Sequence, residues 1–163
     1  MIKNNHKLNI GLDYHGVINK NFSYFSKFCA EARYRGHKIF IITGGPQPKI
    51  RQQLQNNNIS YDFIFAISDY YQALGQTKQI SDGSFIVPEH LWNMAKGEFC
   101  RKNNINFHID DNLKYSQWFT TPFCLYKNNV CYFSSNTKIT LTTFSHEMIN
   151  KMEKLASTMP FVI

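Results

Sequence analysis

Leu8-Asn9-Ile10-Gly11-Leu12-Asp13-Tyr14-His15-Gly16-Val17-Ile18 decides how the chain is read. It begins as a short apolar strand, ends that strand on a carboxylate, and turns at once through a glycine. A carboxylate at the C-terminal end of a buried parallel strand stands at the sheet edge where open α/β folds place their ligands. Asp13 is therefore a chemical candidate from its position alone.

The stretches that follow repeat the form. Phe22, Phe25, Cys29 and Ala32 recur at helical spacing, predicting an amphipathic helix over residues 20–35 with Gly36 as its stop. Lys38-Ile39-Phe40-Ile41-Ile42-Thr43 is a second buried strand, closed by Gly44-Gly45-Pro46. A polar helix over 48–57, with a proline start and an asparagine stop, leads to a third strand over Tyr61–Ile67. Strand, helix, strand, helix, strand implies a parallel sheet with right-handed crossovers.

Residues 69–87 break the rhythm. Ser81-Asp82-Gly83-Ser84 lies between two short apolar segments, predicting a small β-hairpin over 77–87. Pro88 opens a helix to about Lys102 whose apolar face carries Leu91, Trp92, Ala95, Phe99 and Cys100. Ile105 to Asp111 is a fourth strand, again closing on carboxylates; 112–119 is a short helix or turn, and Pro122–Tyr126 a fifth strand. Val130–Phe133 has strand character, and Met148, Ile149, Met152 and Leu155 mark a closing helix. The expected fold is α/β: a three-layer Rossmann-like sandwich around a mainly parallel five-stranded sheet, with residues 1–163 as one domain.

In such a sheet the strand ends share one edge, so Asp13, Thr43, Asp110 and Asp111 meet across one crevice, with Lys96 reaching it from the preceding helix. Clustered carboxylates repel unless a cation sits between them, and oxygen ligands suit Mg²⁺. The Thr43 hydroxyl, the Gly44 N–H and the Lys96 ammonium could hold phosphoryl oxygens, an arrangement able to support phosphoryl transfer with Asp13 as nucleophile.

These four stretches resemble the motifs of the haloacid dehalogenase superfamily of phosphohydrolases. An apolar strand followed by Asp-x-Asp-Gly is matched by Asp13-Tyr14-His15-Gly16 except at His15. A strand ending in Ser or Thr is matched at Thr43, a helical lysine at Lys96, and a strand ending Asp-Asp at Asp110 and Asp111. The resemblance implies that Asp13 is the nucleophile. It implies a Mg²⁺ held by Asp13, the His15 backbone carbonyl, Asp110 and Asp111, and a phosphate held by Thr43, Gly44 and Lys96. It also implies that the 77–87 hairpin stands where other members insert a cap. His15 occupies the place of an aspartate that serves as general acid and base, a role histidine can fill near neutral pH.

The reading that follows is a Mg²⁺-dependent phosphomonoesterase acting on a small phosphorylated metabolite, with a nucleotide as the leading guess. The alternative is a weakly active or inactive relative that binds phosphate ligands or nucleic acid. The net charge of +7 favours anionic partners, yet Lys and Arg are scattered, so nucleic acid is the less favoured one. His108 reads as a satisfied core histidine, and the frequent asparagines as compositional bias. Cys29, Cys100, Cys124 and Cys131 form no C-x-x-C pair and read as buried free thiols of a reducing compartment. Without an apolar signal core in Met1–Lys7 or a membrane-length apolar run, the expectation is a cytoplasmic protein with no membrane partner, free to form homo-oligomers.

Overall fold

The computed structural model describes residues 7–134, 137–140 and 145–158. Most of residues 1–7, where the sequence lacks an apolar signal core, lie outside them. A largely parallel sheet is flanked by helices on both faces. Its strands are β1 (Asn9–Leu12), β2 (Lys38–Thr43), β3 (Phe63–Ala66), β6 (Phe107–Asp110), β7 (Phe123–Lys127), β8 (Val130–Ser134) and β9 (Thr137–Thr140), in the order β3-β2-β1-β6-β7-β8-β9. Two further strands, β4 (Lys78–Gln79) and β5 (Phe85–Ile86), pair antiparallel as a separate hairpin.

The expected five strands are the parallel part of this sheet, and the count is corrected to seven. β8 and β9 extend it antiparallel. The cause is the turn Asn128-Asn129: both residues have positive φ, 51° and 59°, as a two-residue hairpin turn matched to strand twist requires. Asparagine tolerates that region better than most residues. Asn58 and Asn104 adopt it just past the ends of α2 (Gln47–Asn56) and α4 (Glu89–Lys102), and the Asn21 side chain accepts the Tyr24 N–H at 3.1 Å to cap α1 (Phe22–Tyr34). The asparagines thus terminate elements, which corrects their reading as mere bias.

A second correction concerns residues 67–73. Ile67 does not end the third strand but begins α3 (Ile67–Ala73), because Ile67 and Tyr71, four apart, bury one helical face against Ala95 of α4. The predicted 20–35 helix is α1, which begins at Phe22 after a separate 3₁₀ turn, Ile18–Lys20.

Alternation along the strands assigns the two faces. Ile10, Leu12, Ile39, Ile41, Phe107 and Ile109 pack under α1, α2 and α5 (Ser145–Thr158). Phe40 and Ile42 face the other way, toward Cys100 of α4. All four cysteines are buried and free. Among the described residues no helix is long and apolar enough to cross a membrane.

Candidate functional site

β1 and β6 are parallel neighbours at the centre of the sheet. From β1 the chain builds outward through β2 and β3, then returns to place β6 on the opposite side. The direction of winding therefore reverses between β1 and β6, the position where open α/β sheets leave a crevice at their C-terminal ends. Asp13 follows β1 there, its N–H donating to the Ile109 carbonyl at 2.9 Å, and Asp110 closes β6 beside it.

Lys96 projects from α4 into the gap. Its Nζ donates to Asp13 Oδ2 and to Asp110 Oδ2, each at 2.7 Å, with all three side chains buried. Its neighbour Gly97 lies so close to the backbone of the 3₁₀ segment Leu113–Trp118 that a Cβ would collide with the Trp118 carbonyl. The remaining carboxylate oxygens are also held: Asp13 Oδ1 accepts the Tyr14 N–H at 2.7 Å and Asp110 Oδ1 the Asn112 N–H at 2.9 Å. Asp111 is exposed, and one oxygen from each of Asp13, Asp110 and Asp111 lies within 4.8 Å of the others. Gly16, at φ +78°, brings its backbone against the Asp111 carboxylate, where a Cβ would clash.

Three carboxylates thus face one ammonium. Burial pushes the Asp13 carboxyl up to about 7; Lys96 opposes the rise and the Asp110 charge reinforces it. Burial also works to raise Asp110, but hydrogen bonds from His108 and Lys96 hold it down, at about 2. Burial disfavours the Lys96 charge, and the two aspartates outweigh it, so its value is raised.

His15 sits over the end of β2, with Nδ1 3.4 Å from Thr43 Oγ1, a long contact for a hydrogen bond. Partial burial, then Lys96 and Lys49, lower its value below 6.5. Asp13, His15, Gly44, Lys96 and Asp111 line a cleft of about 240 Å³, while Thr43 is fully buried. Trp92 and Tyr115 wall it, joined by a Trp92 Nε1–H to Tyr115 hydroxyl bond of 3.2 Å, and the Tyr115 ring centroid lies 5.3 Å from Lys96 Nζ. A larger groove of about 350 Å³ beside α2, lined by Arg51, Gln55 and Asp69 among others, holds no comparable carboxylate cluster among the described residues.

The structure therefore brings together Asp13, Lys96, Asp110 and Asp111, with His15 and Gly44 at the same cleft. Sequence reasoning did not assign Trp92 or Tyr115 to the walls. Trp92 stands one helical turn before Lys96, a spacing that would have found it; Tyr115 follows no strand and left no comparable signal. His108, expected to be a satisfied core residue, is fully buried but only half satisfied: Nε2 lies 3.2 Å from Asp110 Oδ2, and Nδ1 has no partner among the described residues.

No family model matches the chain, and no curated protein matches it. Among solved structures it is similar to a glycosyltransferase from Rickettsia africae ESF-5, with 12% identity and a TM-score of 0.44. The match covers 74% of this chain and 31% of that one, so the chain spans about a third of the length of the structure it matches.

Proposed function

We propose that the chain is a Mg²⁺-dependent phosphomonoesterase of the haloacid dehalogenase type, working through an aspartyl-phosphate on Asp13. The observation that carries this reading is the buried pairing of Lys96 with both Asp13 and Asp110, at 2.7 Å each, beside a third carboxylate. The donor set fits the cation: every candidate ligand is a hard oxygen, and three carboxylates against one lysine leave negative charge for a divalent ion to offset. Asp13, Asp110 and Asp111 would hold it, with the His15 backbone carbonyl. Bound Mg²⁺ would keep Asp13 ionised and offset charge on the phosphoryl oxygens.

Lys96, Thr43 and the Gly44 N–H hold the phosphoryl group in this reading. The Asp13 carboxylate attacks phosphorus, forming an O–P bond as the bond to the leaving oxygen breaks, and protonated His15 supplies that oxygen's proton. Neutral His15 then takes a proton from the water that cleaves the aspartyl-phosphate, releasing phosphate and restoring Asp13. A histidine with a lowered pKa is better placed for the second step than the first, which favours slow or specialised hydrolysis over rapid general turnover.

The second reading, a protein that binds phosphate ligands or nucleic acid without turnover, rests on His15 standing where the family carries its acid-base aspartate. The substrate is proposed as a small phosphorylated metabolite, a nucleotide being an analogy with the family alone. A single domain over 1–163 in the cytoplasm, with the β4–β5 hairpin in place of a cap, completes the proposal. Phosphate release from an aryl phosphate and a metabolite panel, with and without Mg²⁺, tests it. Turnover that needs Mg²⁺ and falls at least ~10³-fold in Asp13→Asn is expected, and turnover indifferent to that change would remove the catalytic reading.

A further inference from the structure

His108 lies on β6 two residues before Asp110, so both side chains project from the same face of the sheet, toward α4. Its ring stacks on Phe119, with centroids 5.0 Å apart and planes 11° from parallel, and Phe123 approaches by its edge at 6.2 Å. Across the sheet it faces Gly11, where a Cβ would come within 2.8 Å of Nδ1 and 2.9 Å of Ile42 Cδ1; only a residue without a side chain leaves room for the imidazole. The ring is thus held by aromatic and apolar groups, and among the described residues its one hydrogen-bonding contact is Nε2 to Asp110 Oδ2 at 3.2 Å. A proton on Nδ1 would find no acceptor among those residues, whereas a proton on Nε2 meets a carboxylate oxygen.

We infer that His108 is a positioning residue, the Nε2–H tautomer of which fixes the Asp110 carboxylate for metal binding while Lys96 is free to turn toward a phosphoryl group. Lys96 is shared between two carboxylates, and in the proposed reaction it also serves the substrate. If it were the sole donor to Asp110 Oδ2, each engagement of phosphate would loosen the metal ligand. His108 makes that oxygen's orientation independent of the lysine, as the Asn112 N–H does for Oδ1. The inference rests on the proposed metal-dependent reading for its purpose, and on this chain's own contacts for its geometry.

Two measurements test it. Imidazole ¹⁵N NMR of the metal-free protein should show His108 neutral and protonated on Nε2; protonation on Nδ1, or on both nitrogens, would overturn the assignment. Calorimetric titration with Mg²⁺ alone then compares the wild type with His108→Phe, which keeps the ring packing without a donor, and His108→Gln, whose amide N–H can replace Nε2–H. His108→Phe should weaken Mg²⁺ binding by about 10-fold or more, with His108→Gln within about threefold of wild type, and far-ultraviolet circular dichroism should stay unchanged in both. Equal binding by His108→Phe, or equal loss in the two variants, would overturn the role. A wild type that binds no Mg²⁺ removes the phosphatase reading instead, and the NMR measurement alone then decides whether His108 positions Asp110.

Discussion

The two ends of the sheet each hold a buried histidine, and they treat it differently. Before β2, His37 Nδ1 accepts the Leu8 N–H at 3.1 Å while Nε2 meets Glu153 Oε1 at 2.9 Å, so both ring nitrogens are used. Around it Arg35 reaches Glu31 at 2.7 Å, Asn150 at 2.6 Å and Glu153 at 3.4 Å, tying α1 to α5. At the opposite end, His108 leaves a nitrogen without a partner among the described residues, and two buried carboxylates share one ammonium beside a third. A folded chain pairs most of its buried polar groups, so a surplus concentrated at one edge is a feature that stability alone does not explain, and it coincides with the cluster able to coordinate a metal.

The largest effect that could break this contrast is removal of the lysine. Lys96→Met leaves Asp13 and Asp110 buried with no cation between them, and the metal-free variant should lose about 3 kcal/mol of stability at pH 7. Urea denaturation measures it, and a variant as stable as wild type would show that the cluster is not under electrostatic stress.

A smaller effect has the opposite sign. The folded state raises Asp13 from 3.8 to about 7, so between those values it keeps a proton that the unfolded chain releases. Stability of the metal-free protein should therefore fall as pH rises through that window. Asp110, held down at about 2, adds stability above 3.8 that is lost as pH falls through its folded value. Asp13→Asn should flatten the Asp13 slope and stabilise the protein at pH 8 by on the order of 1–2 kcal/mol, the opposite direction to its expected effect on the proposed turnover. Thermal melts across pH 4–8 would sharpen or sink this, a slope unchanged in Asp13→Asn being the adverse result.

The smallest effect belongs to the satisfied end. Glu153 is partly exposed, and Glu153→Gln keeps an acceptor for His37, so it should cost roughly 0.5–1 kcal/mol in urea denaturation and leave Mg²⁺ binding as it was. A loss of Mg²⁺ affinity there would contradict the division of the molecule into a structural end and a reactive one.

Much of this division was legible in the sequence. Asp13, Thr43, Asp110 and Asp111 could be placed because each ends an apolar run, and runs that end on polar residues align when strands are parallel. Lys96 could be placed because a lysine beside Trp92, Phe99 and Cys100 on one helix needs a buried partner. His108 reads as satisfied from sequence, since the same sequence position serves a fully paired or a half-paired ring, and its contacts in the fold separate the two. The strand character of Val130–Phe133 was legible, but its antiparallel pairing and β9 escaped because Asn128-Asn129 turns the chain without glycine, and α3 because Ile67 suits a strand end and a helix start equally well.

Gly97 has a consequence out of proportion to its size. A lysine side chain has a fixed reach, so whether its charge arrives between two carboxylates depends on how closely its helix rides against the layer beneath. With no side chain at 97 to act as a spacer, α4 packs directly on the Trp118 carbonyl, one residue from the lysine that reaches Asp13 and Asp110. The stand-off distance between a whole helix and the segment beside it is set by a residue that contributes no functional group at all.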